Sequence, residues 1–242
     1  GALFCGSSAG LISSLEGAVV NLRMEHCASI AKTLCQAIVV GESSGTVSNC
    51  SVSDSIVVSA DTNAYTGAIV GLAKLNSVIS YNTSENNRIM NDGNAAGGIV
   101  GQSDVSVRDC LVNGGDVSGE ESTGGIVGTV TNSAEGICIH GCQSSANISG
   151  KYHIGGICGY YVQYTFIEPS GPLTISECTN RGNLTERAVS DYGLKQYLGG
   201  IMGDAQGAVT ITKCHNSGDV LSDQETCNAS EVNLGGIMGG IY

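Results

Sequence analysis

The chain has no tryptophan, 2 prolines and only 13% charged residues in 242 positions. Charged side chains make up roughly a quarter of an ordinary globular protein, so a surface of solvated, charge-laced helices is excluded. Scarce proline beside 36 glycines excludes collagen-like and proline-rich linker compositions. Aromatics are 5%, which leaves Ile, Val, Leu and Ala to fill a narrow core of small side chains. Cations are scarce too: 10 Lys and Arg against 22 Asp and Glu give a net charge of −12. Affinity for a phosphate backbone comes mainly from neutralising phosphates with cations, so nucleic acid is not an expected partner. No apolar run approaches the roughly 20 residues that a membrane-crossing helix needs. The apolar opening stretch, 1–22, contains Glu16 and lacks a basic leading region, so it reads neither as a membrane span nor as a signal peptide.

What is abundant is repetition. One short phrase recurs about every 30 residues, within the range of solenoid repeats: Gly1-Ala-Leu-Phe-Cys-Gly6, Ala37-Ile-Val-Val-Gly41, Gly67-Ala-Ile-Val-Gly71, Gly97-Gly-Ile-Val-Gly101, Gly124-Gly-Ile-Val-Gly128, Gly155-Gly-Ile-Cys-Gly159, Gly199-Gly-Ile-Met-Gly203 and Gly235-Gly-Ile-Met-Gly239. A second phrase follows the later copies: Val105-x-Val107 before Cys110, Ile137-x-Ile139 before Cys142, Leu173-x-Ile175 before Cys178, and Val209-x-Ile211 before Cys214. Alternation with period two marks a strand with one buried face. The three-residue step to cysteine breaks that period and implies a tight corner, after which the cysteine points inward again. Gly182 with Leu184, and Gly218 with Val220, mark a second corner and a third strand.

These spacings predict an all-β fold: a right-handed parallel β-helix, or three-sided β-solenoid, of about eight coils with protruding loops. No helical pattern is long enough to bridge parallel strands, so each strand must pair with its equivalent one coil away. At about 4.8 Å per coil, the rod would be roughly 40 Å long, with equivalent residues in ladders. Glycine belongs where a corner needs positive φ or where backbones approach closely. Cys27, Cys50, Cys110, Cys142, Cys178 and Cys214 are expected in one ladder, with Tyr81 in the equivalent place of its coil. Free cysteine packs as a small hydrophobe, so the ladder reads as reduced thiols, with an occasional disulfide as the alternative. The whole of 1–242 reads as a single solenoid domain, and the array starts inside one phrase and ends just after another. Solenoids protect terminal coils with caps, so a fragment of a longer chain is expected.

The two phrases, with Gly17-Ala-Val-Val-Asn-Leu22 in the first coil, resemble the GLUG-motif repeats of bacterial surface proteins over essentially the whole chain. Such repeats occur in adhesin-like proteins and in non-catalytic regions of IgA-specific metallopeptidases, so the resemblance implies an exported, extracellular module of the bacterial cell surface. It names no ligand and assigns no catalytic residues. The chain departs from the pattern at Ala37-Ile-Val-Val-Gly41, which lacks the glycine pair, and in the expanded coils after Gly159.

Several residues invite a chemical reading. Cys138-Ile-His140-Gly-Cys142 has the look of a metal cluster, yet inward Ile137 and Ile139 turn Cys138 and His140 outward while Cys142 points in. Three ligands would not converge on a tetrahedral ion. His26, His153 and His215 read as isolated surface histidines, and Glu120-Glu121 as an exposed turn. Asp109, Glu177 and Lys213 share one register and should line up along a corner as solvated charge. No run of spaced aspartates resembles a calcium loop, and neither a metal nor another cofactor is expected. The sequons at Asn82, Asn147, Asn183 and Asn228 follow from polar turns and matter only if the source glycosylates.

The informative irregularity is an insertion over 160–172, Tyr160-Tyr-Val-Gln-Tyr-Thr-Phe-Ile-Glu-Pro-Ser-Gly-Pro172, which holds both prolines and a cluster of aromatics. Insertions in repeat proteins map to loops on one face, and loops on rigid scaffolds carry binding. Tyr160, Tyr161, Tyr164 and Phe166, joined by Tyr192 and Tyr197 from the next long stretch, are the candidate binding residues; a hairpin cover that binds nothing is the plain alternative. The expected function is therefore a monomeric, non-catalytic adhesin-like or stalk module that binds a glycan or host protein. A carbohydrate-active enzyme with paired carboxylates and a purely structural spacer are the alternatives.

Overall fold

A computed structural model describes residues 2–6, 9–131, 136–163, 171–187, 195–222 and 231–241. Every regular element among them is a β-strand. The strands stack into five parallel sheets, one of eight strands and four of seven, and each strand pairs with its counterpart in the next repeat. We number the sheets along the chain. Sheet I starts at Ile12–Leu15, sheet II at Ala18–Val20, sheet III at Arg23–Glu25, sheet IV at Leu3–Gly6 and sheet V at Cys35–Gln36. A repeat thus carries five short strands where the sequence suggests about three. The two sheets that escape notice, III and V, have strands of two to five residues, too short for a period to show.

Ladders fill the interior. Val47, Ile79, Val107, Ile139 and Ile175 stack inward from sheet II, all at or near zero exposure. Facing sheets IV and V change character along the rod. Near the start, Gln36 Nε2 donates to Ser29 Oγ between them; farther along, Ile148, Ile154, Leu184 and Leu198 form a separate apolar cluster in the same place.

The glycine phrase joins sheets V and I. A Cβ on its first glycine (67, 97, 124, 155, 199 or 235) would lie 1.8–2.3 Å from the carbonyl oxygen three residues on. A Cβ on its last glycine would strike sheet V backbone, as Gly101 would strike the Thr66 nitrogen at 2.4 Å. The glycines are therefore what lets two sheets meet backbone to backbone. Register places Gly1-Ala-Leu-Phe-Cys-Gly6 elsewhere: Leu3 pairs with Ala28 and Gly6 with Ala31 in sheet IV. The segment in step with Ala37–Gly41 is Ala9–Ser13, since Ala37 N donates to Ala9 O and Ile12 pairs with Val40.

The corner between sheets II and III is built differently. Asn21, Asn49, Tyr81, Asp109, Gly141, Glu177 and Lys213 all hold φ between 52° and 65° and follow one another by amide-to-carbonyl bonds from coil to coil. The next residue turns inward, which gives the thiol ladder Cys50, Cys110, Cys142, Cys178, with half-buried Cys214 at its end, all as free thiols. Two residues leave the expected ladder. Cys27 sits at the next corner, where its amide donates to Ser55 Oγ at 2.9 Å. In the Tyr81 coil the inward residue is Asn82, because Tyr81 occupies the left-handed position itself.

Candidate functional site

Sheets V and I carry the candidate site on the outward positions that flank the glycine phrase. His153, in strand His153–Gly155, pairs with Tyr197 in Lys195–Gly199. Tyr160, in Cys158–Val162, pairs with Asp204 in Met202–Gln206. The phrase between them folds the strands together, so residues seven apart in sequence, His153 with Tyr160 and Tyr197 with Asp204, face one another. The His153 ring stacks on Tyr160 with centroids 4.3 Å apart and planes at 15°, and on Tyr197 at 5.9 Å and 10°. Three nearly parallel rings thus form a ledge on a chain otherwise poor in aromatics. The Tyr160 hydroxyl donates to Gln206 Oε1 at 3.2 Å.

The middle ring of the ledge also belongs to a polar pair with buried Asp204. His153 Nε2 is 3.6 Å from Asp204 Oδ2, with side-chain exposures of 24% and 2%. Among the described residues neither His153 Nδ1 nor Asp204 Oδ1 has a hydrogen-bond partner. Burial lowers the His153 pKa to about 4, and burial likewise raises that of the Asp204 carboxyl, against one backbone hydrogen bond from Ala205. Desolvation disfavours the charged form of each group, so His153 is a neutral imidazole at neutral pH and leaves the face of the ledge uncharged. Because the three rings lie face to face and Tyr197 is buried, what the ledge offers to solvent is the accessible part of half-buried Tyr160 and its hydroxyl, an apolar body with a polar tip.

The sequence-derived residues divide. Tyr160 and Tyr197 join the ledge, the first half-buried and the second 6% exposed. Tyr161 is corrected from binding residue to core residue: it is fully buried, and its hydroxyl donates to the Gly171 carbonyl at 2.9 Å. The inward positions of this strand are Cys158 and Tyr161, three apart, because Gly159 is turned against sheet V. Tyr164, Phe166 and Tyr192 lie outside the described residues, as does most of the 160–172 insertion.

His153 is a second correction, since it is no isolated surface residue, whereas His26 and His215 are exposed. Neither His153 nor Asp204 stood out in the sequence. Their signal was positional: His153 and Tyr197 each precede a Gly-x-x-x-Gly phrase by two residues, and Tyr160 and Asp204 each follow one directly. Glu120 is half-buried rather than fully exposed, and pairs with Lys151 Nζ at 2.5 Å.

Elsewhere register works as expected. Cys138 and His140 face outward beside Ser176, with His140 Nδ1 2.9 Å from its hydroxyl, while Cys142 is buried. Lys213 Nζ donates to Glu177 Oε1 at 3.0 Å on the left-handed corner, and this contact lowers the Glu177 pKa.

Stacked parallel sheets with in-register ladders define a β-solenoid repeat protein. Beyond that class, the chain matches no protein-family model, no curated protein and no solved structure.

Proposed function

We propose that this chain is a non-catalytic module of a bacterial cell-surface protein, a single right-handed β-solenoid of about eight coils that binds a glycan or a host protein. The observation that carries this reading is the stacked ledge of Tyr160, His153 and Tyr197, whose imidazole is kept neutral by burial. The stack holds half-buried Tyr160 in one orientation, so little conformational entropy is lost when a ligand packs against its accessible part. The GLUG-type phrases support an extracellular setting. Buried free thiols fit that setting: Cys158 in sheet I and Cys178 in the ladder are raised to about 12, the first by burial and the second chiefly by its bond to Cys142, so little nucleophilic thiolate forms.

The test is a binding screen of the chain against immobilised glycans, mucin and matrix proteins, with Tyr160→Ala alongside. Saturable binding that weakens at least tenfold in the variant is the expected result. Binding that ignores the substitution would move the site elsewhere. No binding to any of them would favour the second reading, a spacer, which the unbroken register of the five sheets also suits.

A further inference from the structure

The left-handed corner between sheets II and III holds one aromatic residue. Positive φ is tolerated by Gly, Asn and Asp and is uncommon for bulky side chains. The column holds Asn21, Asn49, Asp109 and Gly141, and also Glu177 and Lys213, which are joined by an ion pair; Tyr81 adopts φ 57° with 61% of the residue exposed and makes no such contact. An aromatic ring held in water on a strained backbone gains nothing from burial to offset the strain. Strain of this kind collects at functional positions.

The same coil departs from the repeat a second time, at the next residue. Where other coils place cysteine, Asn82 is fully buried. Its Oδ1 accepts from the Cys50 amide at 2.9 Å, and its Nδ2 donates to the Val47 carbonyl at 2.9 Å. Asn82 thereby ties the Tyr81 corner to the preceding coil and fixes the direction in which the ring projects.

Tyr81 stands at the edge of a surface groove of about 410 Å³, lined also by Ser77, Val78, Ser80, Ser106, Arg108 and Asp109, a volume within the range of small-molecule sites. Val78 is 51% exposed and supplies an apolar floor. Arg108 and Asp109 are exposed, and neither has an ion-pair partner among the described residues. Together they present a fork of donors beside a pair of acceptors. Their charges cancel, and the chain as a whole carries −12, so a carboxylated or phosphorylated ligand is disfavoured.

We propose that this groove is a second carbohydrate site, for a neutral pyranose. The C–H face of the sugar packs on the Tyr81 ring, while two neighbouring hydroxyls donate to Asp109 and accept from Arg108. The site lies on sheet II and its corner with sheet III, away from the Tyr160 ledge on sheets V and I, and stands or falls independently of it.

The experiment is an NMR titration of the whole chain with the methyl glycosides of glucose, galactose and mannose, and with glucuronate as the charged control. At least one neutral glycoside should shift the resonances of Tyr81, Arg108 and Asp109 saturably at millimolar concentration. Tyr81→Asn should weaken that binding at least tenfold without unfolding the corner, because Asn49 already holds asparagine at φ 53° in the same column. Asp109→Asn should weaken it severalfold, and Tyr160→Ala should leave it unchanged. The proposal is overturned if no neutral glycoside moves these resonances, if Tyr81→Asn binds as the parent does, if glucuronate binds more tightly, or if binding disappears with Tyr160→Ala.

Discussion

The glycine edge between sheets V and I and the left-handed corner between sheets II and III recur equally often, yet they accept side chains on opposite terms. At the edge, backbone meets backbone, and a single methyl group at Gly101 would sit 2.4 Å from a nitrogen of the facing strand. At the corner one narrow range of φ is shared by Asn, Tyr, Asp, Gly, Glu and Lys, because the side chain projects into solvent and only the torsional preference is at stake. Contact sterics therefore fix the edge and leave the corner free to vary. Side chains vary at the corner itself and on the outward positions that flank the edge, where His153 and Tyr160 lie.

The largest effect expected from this contrast is at the edge. Gly101→Ala forces either sheet V or sheet I to move, and overpacking against backbone that cannot yield should destabilise by about 4 kcal/mol. Asp109→Asn, an isosteric change at the corner to a residue that tolerates positive φ, should stay within about 0.5 kcal/mol. Urea unfolding of both variants decides it. A loss below about 1 kcal/mol for Gly101→Ala would mean that the sheets can separate locally, and the contrast would collapse.

Next in size is the acid response of the ledge. The folded pKa of His153 is lowered from 6.5 to about 4, so between those values the unfolded chain binds a proton that the folded chain does not. This contribution is intact above pH 6.5, is lost progressively as pH falls towards 4, and amounts to about 3 kcal/mol at most. Asp204 works the other way, because its raised pKa means that the folded chain gains the proton first and recovers part of the loss. The melting temperature should fall from pH 7 to pH 4, and His153→Phe, which keeps a ring between Tyr160 and Tyr197, should flatten that fall. An unchanged profile in the variant would show that the imidazole is solvated and the ledge is more open than its stacking implies.

The contrast between edge and corner also explains what could be read in advance. Alternation as in Ile137-x-Ile139 and the recurring glycines report directly on burial and close approach, so parallel stacking, the outward turn of Cys138 and His140, and most of the thiol ladder were legible. Sheet III was not, because its inward positions run Val52, Ser84, Val112, Ser144 and Asn180, and serine and asparagine at inward positions look like loop. Tyr81 and Cys27 were misplaced by a residue or by a corner, because nothing local distinguishes the left-handed position from the inward one beside it. The site was half visible. Tyr160 and Tyr197 stand out as aromatics near an insertion, but His153 and Asp204 acquire meaning only when neighbouring copies are laid in register.

Asn82 tests whether the corner is as tolerant on its inward side. Asn82→Ala removes both bonds and leaves the Cys50 amide and the Val47 carbonyl buried without partners, which should destabilise by about 2 kcal/mol. Hydrogen exchange at the Cys50 amide should accelerate more than at the Cys178 amide, which lies several coils farther along the rod. Equal acceleration at both would show that the coils open together and that Asn82 has no local role.

The smallest effect carries the opposite sign. Tyr81→Asn replaces a side chain strained at φ 57° with one that tolerates this conformation, and the ring it removes is mostly in water. A gain of at most about 1 kcal/mol is expected, which for a chain of this size is a rise of about 3 °C in melting temperature. The equivalent change at Lys213 should gain less, since it also breaks the contact with Glu177. Calorimetry of both variants separates two accounts of Tyr81. If Tyr81→Asn stabilises the chain while abolishing hexose binding, the strained ring is kept for its ligand, as a stability–function trade-off requires. If it destabilises the chain, the ring packs against the groove for structural reasons, and the corner is less permissive than its range of side chains suggests.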